Sequence, residues 1–123
     1  RRRLRVAARK TLADAVVVTG IPHRGRPGHP GFMKEMQAVM MEVAGLRRTG
    51  SAALDLAYVA AGRYDGYWER NLKPWDLAAG IVLVREAGGL VADVNGKDTA
   101  LSTGNVMAGN AAIMKAIQPL LVP

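Results

Sequence analysis

Two carboxylates stand apart from the ordinary surface charges of this 123-residue chain. Glu69 closes an apolar, aromatic run, YDGYWE at residues 64–69, and Asp76 follows after a short turn, in the first turn of an apolar helical segment. That order brings both carboxylates to one rim of a sheet, where open α/β domains place ligands. A carboxylate in a helix's first turn is kept ionised by the partial positive charge there and can bind a hard cation such as Mg²⁺ through oxygen. Capping of the helix N-terminus is the alternative use of Asp76. A third feature is the Gly50-Ser51-Ala52 turn at the start of a run of helix formers. Free backbone N–H groups and small side chains let an anionic or hydroxylated ligand approach closely, although Ser51 serves equally as an N-cap. The neighbouring Arg47 and Arg48 are able to neutralise phosphate or to form ion pairs at a subunit contact.

The elements that must position these groups alternate between short β-rich runs and longer helical ones, the rhythm of a layered α/β domain. Residues 4–6 suggest a strand. Residues 15–19 (AVVVT) suggest a firmer one, since three consecutive valines suit a strand buried on both faces. Residues 21–31 carry Pro22, Pro27 and Pro30 with Gly25, Gly28 and Gly31, a spacing expected of a loop. From 32 to about 44, Phe32, Met36, Val39, Met40 and Val43 recur on one helical face, and the methionines read as core packing. A short strand or link is expected at 46–49 and a helix at 52–61 with Leu54, Tyr58 and Ala61 on one side. Then follow a strand at 64–69, a turn at 71–73, and a helix over 75–87 that opens on Pro74 and stops at Gly88-Gly89. A strand at 90–94, a tight turn at Asn95-Gly96, a strand at 106–108 and a helix over 111–121 complete the chain. The inner face of that last helix is expected to hold Ile113, Ile117 and Leu120. No repeat or linker interrupts residues 1–123, so one domain is expected.

Composition narrows the class. Half the residues are apolar and 22% are charged, which excludes a disordered, collagenous or coiled-coil chain. The absence of cysteine excludes a disulfide framework and any thiolate zinc site, and fits a cytoplasmic setting. No run approaches the roughly 18 apolar residues of a membrane span, so no membrane partner is expected. The net charge of +7 is a terminal cluster: six of the seventeen cations fall in the first ten residues, and the remaining eleven face ten carboxylates. Such a cluster is able to bind phosphate backbones, but no aromatic residues interleave with it, and a solvated chain end is the simpler reading. The chain begins Arg1-Arg2-Arg3 without an initiator methionine, from which upstream residues outside this sequence are expected.

Residues 47–69 (RRTGSAALDLAYVAAGRYDGYWE) and 72–89 (LKPWDLAAGIVLVREAGG) closely resemble the C-terminal half of the inositol monophosphatase family. The second run carries the family's Trp-Asp signature, a small-residue helix and the closing Glu-Ala-Gly-Gly, while VVVTGIP at 16–22 and AGN at 108–110 fit as well. The resemblance implies an α/β layered sandwich, the C-terminal half of an αβαβα fold, with a mixed sheet covered by helices and an apolar side left for an N-terminal half. It further implies a homodimer and hydrolysis of a phosphate monoester, foremost inositol 1-phosphate, by Mg²⁺-activated water with no covalent phospho-enzyme. Asp76 is then similar to a Mg²⁺ ligand that also touches a sugar-alcohol hydroxyl. Gly50, Ser51 and Ala52 resemble the substrate-contacting turn, and Glu69 the carboxylate that accepts a hydrogen bond from an inositol hydroxyl. The family's Gly-Glu-Glu and Asp-Pro-Leu-Asp-Gly-Thr motifs do not occur here, and one aspartate does not hold a Mg²⁺ cluster. These 123 residues by themselves are therefore expected to be inactive. A relative acting on histidinol phosphate or on another sugar or nucleotide phosphate, and a regulatory RNA-associated module supported by the basic start and Arg47-Arg48, are the alternatives.

Overall fold

The valine run forms the first strand of the computed structural model, which describes residues 3–22 and 27–121. Strand β1 (Val16–Thr19) is followed by helix α1 (His29–Met40), β2 (Gly45–Arg47), α2 (Ala52–Ala60), β3 (Gly66–Glu69) and α3 (Pro74–Glu86). Strand β4 (Leu90–Ala92), the short helix α4 (Ala100–Thr103), β5 (Val106–Gly109) and α5 (Ala111–Ile117) complete the order. The five strands make one mixed sheet in the order β2-β1-β3-β5-β4. Strand β1 runs parallel to β2 and β3, whereas β5 is antiparallel to β3 and β4.

Side chains alternate across a strand, and here both faces are covered. Val18, Tyr67, Val106 and Ala108 point to one core with Leu56, Val59, Leu77, Ile81 and Val84 of α2 and α3. Val17, Trp68 and Met107 point to the other, with Phe32 and Val39 of α1 and Ile113 and Ile117 of α5. The result is a three-layer sandwich with the sheet in the middle, the α/β class that the alternating pattern predicts.

Several elements differ from expectation for local reasons. Residues 4–6 join no strand: the Val6 N–H donates to the Ala87 carbonyl at 3.1 Å, and the Asn110 side chain donates to the carbonyls of Ala7 and Arg9. Helix α1 begins inside the expected loop, because Gly28 takes a left-handed φ of 99° and Pro30 is tolerated in a first helical turn; residues 23–26 of that loop lie outside the described residues. Helix α1 buries Phe32, Glu35 and Val39 while Met40 is exposed, so the stripe is rotated from the one the periodicity suggests. Helix α2 is rotated likewise: it buries Asp55, Leu56, Val59 and Ala60, leaving Leu54 and Ala61 outside. The last helix stops at Ile117, and residues 118–120 tighten into a 3₁₀ turn at Pro119. Its buried face is Ile113, Met114 and Ile117, with Leu120 half-buried.

Candidate functional site

Strand β3 carries Glu69 to the C-terminal rim of the sheet, the same end at which its parallel neighbour β1 finishes at Thr19. Tyr67 and Glu69 are two apart and so share the face toward α2 and α3. The fully buried Tyr67 donates its hydroxyl hydrogen bond to Glu69 Oε1 at 2.5 Å. Trp68 faces the opposite way, stacks on Phe32 with ring centroids 6.1 Å apart, and donates from Nε1 to Glu35 Oε1 at 3.3 Å. Arg70, the next residue but one, donates from Nε to both Glu35 oxygens at 3.0 Å and pairs with Glu35 through Nη2 as well.

The chain then turns through Asn71, which holds a left-handed φ of 61° that asparagine tolerates. Backbone bonds fasten this turn to the residues before β5: the Asn71 N–H donates to Asn105 Oδ1 at 3.2 Å and the Leu72 N–H to the Gly104 carbonyl at 2.9 Å. Gly104 lies so close to Leu72 that a Cβ would collide with its backbone. Pro74 opens α3, and Asp76 Oδ2 accepts the Lys73 N–H at 3.0 Å. The capping use of Asp76 is thus present, and it occupies one oxygen only.

Glu69 and Asp76 line one cavity of about 130 Å³, together with Gly20, Phe32, Asn71 and Lys73. Burial pushes the Glu69 carboxyl above its ordinary range; the Asp55 and Asp76 carboxylates act the same way, and the Tyr67 hydroxyl and the Arg48 guanidinium oppose them. Tyr67 is also driven upward, by burial first and then by Glu69, so its hydroxyl remains a donor.

Gly50, Ser51 and Ala52 do not line that cavity. Gly50 has a left-handed φ of 88°, and Ser51 caps α2 by accepting the Leu54 N–H at 3.3 Å. The Thr49 hydroxyl donates to Asp55 Oδ1, tying the turn to the helix it precedes. Asp55 is fully buried, and its Oδ2 has no hydrogen-bond partner among the described residues. Burial raises its carboxyl, with the Thr49 bond a smaller opposing influence. Arg47 and Arg48 are both exposed. Sequence spacing missed Gly20, Tyr67, Asp55 and Glu35; the alternation in YDGYWE, which puts Tyr67 on the face of Glu69, was the available signal for one of them.

Among the described residues no group of three or more His, Asp or Glu side chains is placed to hold a metal ion. Asp76 nevertheless offers a hard oxygen at the cavity with no cation paired to it among the described residues, which fits a single Mg²⁺ ligand and not a complete metal site. No described helix is long and apolar enough to cross a membrane.

A family model for the inositol monophosphatase family matches residues 1–122. The chain is 56% identical over 120 residues to the inositol-1-monophosphatase of Rhizobium meliloti, covering 98% of this chain and 45% of that protein. It is 48% identical over 128 residues to the Nus factor SuhB of Pseudomonas aeruginosa, with 99% and 47% covered. The crystal structure of the extragenic suppressor protein suhB from Bartonella henselae superimposes with a TM-score of 0.94 at 53% identity, covering 98% of this chain and 46% of that one. The chain spans about half the length of the curated relatives it matches.

Proposed function

Because this chain belongs to the inositol monophosphatase family, we propose that it supplies the substrate-binding part of a Mg²⁺-dependent phosphate monoester hydrolase, with inositol 1-phosphate the foremost substrate. The observation that carries this reading is the cavity that Glu69 and Asp76 share. Asp76 would hold Mg²⁺ through the oxygen its capping bond leaves free and would also meet a hydroxyl of the substrate. Glu69 would accept a hydrogen bond from a polyol hydroxyl, and the Gly50-Ser51-Ala52 turn would bring backbone close to the substrate. When bound, Mg²⁺ supplies a more acidic water and neutralises charge on the leaving oxygen. The further acidic ligands would come from polypeptide beyond these 123 residues, which by themselves would not turn over substrate.

The test uses the full-length protein with and without Mg²⁺. Asn at position 76 still accepts the Lys73 N–H, so Asp76→Asn preserves the cap while removing the charge that a metal needs. It is expected to lower kcat by at least about a hundredfold with the melting temperature nearly unchanged. Wild-type turnover by that variant would reject the role of Asp76. Inositol 1-phosphate assayed beside histidinol phosphate and nucleotide monophosphates decides the substrate, since a carboxylate at Glu69 also suits an amine. A second reading, an RNA-associated regulatory role, draws on the exposed Arg3, Arg5 and Lys10 and on the Nus factor name of relatives. RNA binding by the full-length protein that survives moderate salt would favour it.

A further inference from the structure

Resting on the reading of Glu69 as the acceptor of a substrate hydroxyl, we propose that Tyr67 is a positioning residue that, together with the bare backbone at Gly20, sets the place of the Glu69 carboxylate and so the enzyme's preference for polyol phosphates. Tyr67 is fully buried, held on the face of the sheet that packs on α2 and α3. Its ring is fixed before any ligand arrives, and its hydroxyl reaches Glu69 Oε1 at 2.5 Å. That bond fills one carboxylate oxygen and leaves Oε2 to accept from a ligand. On the other side, the register that sets Thr19 beside Trp68 brings Gly20 next to Glu69. A Cβ on Gly20 would overlap the carboxyl carbon and both oxygens of Glu69. The carboxylate therefore fills the space a side chain at position 20 would take, clamped between a phenol and a backbone.

A long glutamate side chain in water samples many rotamers, and ordering it on binding costs affinity. Fixing it beforehand removes that cost for a ligand whose hydroxyl meets it, and does nothing for a phosphate ester without one. Tyr67 therefore acts on selectivity through Glu69 without touching the reacting phosphate.

The experiment compares inositol 1-phosphate with 4-nitrophenyl phosphate, which has no polyol, in the full-length protein. Tyr67→Phe keeps the ring and deletes the donor. It is expected to raise KM for inositol 1-phosphate roughly five- to tenfold with kcat unchanged, and to leave the aryl ester unaffected. Gly20→Ala, whose added methyl meets only the Glu69 carboxylate and would displace it, is expected to shift the same ratio in the same direction and decides the matter should Tyr67→Phe fold poorly. Adding Tyr67→Phe to Glu69→Gln is expected to produce no further loss, because both act on one interaction. If Glu69→Gln changes the ratio while Tyr67→Phe and Gly20→Ala do not, the positioning role is overturned and the role of Glu69 stands. If Glu69→Gln leaves the ratio untouched, the reading of Glu69 fails and takes this proposal with it. Equal loss on both substrates in Tyr67→Phe would make the tyrosine merely structural and would also overturn it.

Discussion

Glu35 is a carboxylate buried beside Phe32 and Val39, off the stripe that the apolar periodicity predicts, and what makes its burial tolerable is the fork of Arg70 together with the Trp68 indole N–H. The Arg70 side chain is 28% exposed and that of Glu35 only 3%, so removing the arginine strands a charge that water does not reach. Arg70→Ala is expected to destabilise the full-length protein by about 2–4 kcal/mol in urea melts, and Glu35→Leu combined with Arg70→Met to recover most of that loss. Asp55 has the opposite character, a buried carboxyl raised from 3.8 by desolvation and only partly offset by Thr49. Below the ordinary aspartate range it is protonated whether folded or not. As pH rises from there through the raised folded value, the unfolded chain gives up the proton before the folded one does, so the stability it contributes at low pH is lost. Asp55→Asn is expected to flatten that decline, measured as the difference in melting temperature between mildly acidic and neutral pH; an unchanged slope would assign the decline to other groups. The cavity pair Glu69 and Asp76 was legible because each sits at the end of an element whose pattern is local. Glu35 was not, since its partner Trp68 lies 33 residues away, and Gly20 was not, since its reason for being glycine is a side chain on a neighbouring strand.

At the scale of elements, α2 and α3 form one layer because α3 presents Leu77, Gly80, Ile81 and Val84 along a single stripe. Gly80 is the closest point: a Cβ there would sit 2.5 Å from Leu56 Cδ1 and 2.6 Å from its Cβ. Alanine favours a helix over glycine by about 1 kcal/mol, yet overpacking costs roughly 1–3 kcal/mol, so Gly80→Ala is expected to destabilise on balance. Leu56→Ala in the same protein should reverse the sign of that substitution's effect, and simple additivity of the two in thermal melts would place the glycine away from the interface. The strands and most helices were readable because the central ones are buried on both faces, which turns sheet position into continuous runs such as VVV. Face assignment was less readable. In α2 the apolar residues Leu54 and Leu56 compete, and the choice falls to Leu56 because Gly80 leaves room for it, information that sits on another helix. The turn of α4 was missed for a related reason, since four residues, ALST, carry no helical period to detect.

The whole molecule covers its sheet on both sides but leaves the outer surface of the α2–α3 layer apolar. Trp75 is 77% exposed, Val82 58% and Leu54 50%. Val82 and Leu101 line one groove with Ala78, whereas Leu83 and Leu4 lie in another among the charged Arg3, Arg5 and Glu86. Scattered exposed apolar residues are ordinary, whereas a contiguous band along one helix is a surface that water disfavours and that associates when it can. Produced alone, the 123-residue chain is therefore expected to sediment as a concentration-dependent mixture of species, and Val82→Lys with Leu83→Lys to shift it toward monomer. The same pair discriminates at full length, where the relatives are about twice as long as the matched segment. If polypeptide outside these residues packs on this layer, burying two aliphatic side chains there contributes roughly 3 kcal/mol or more, and charging them lowers the melting temperature accordingly. An unchanged melting temperature would mean that the band faces solvent at full length.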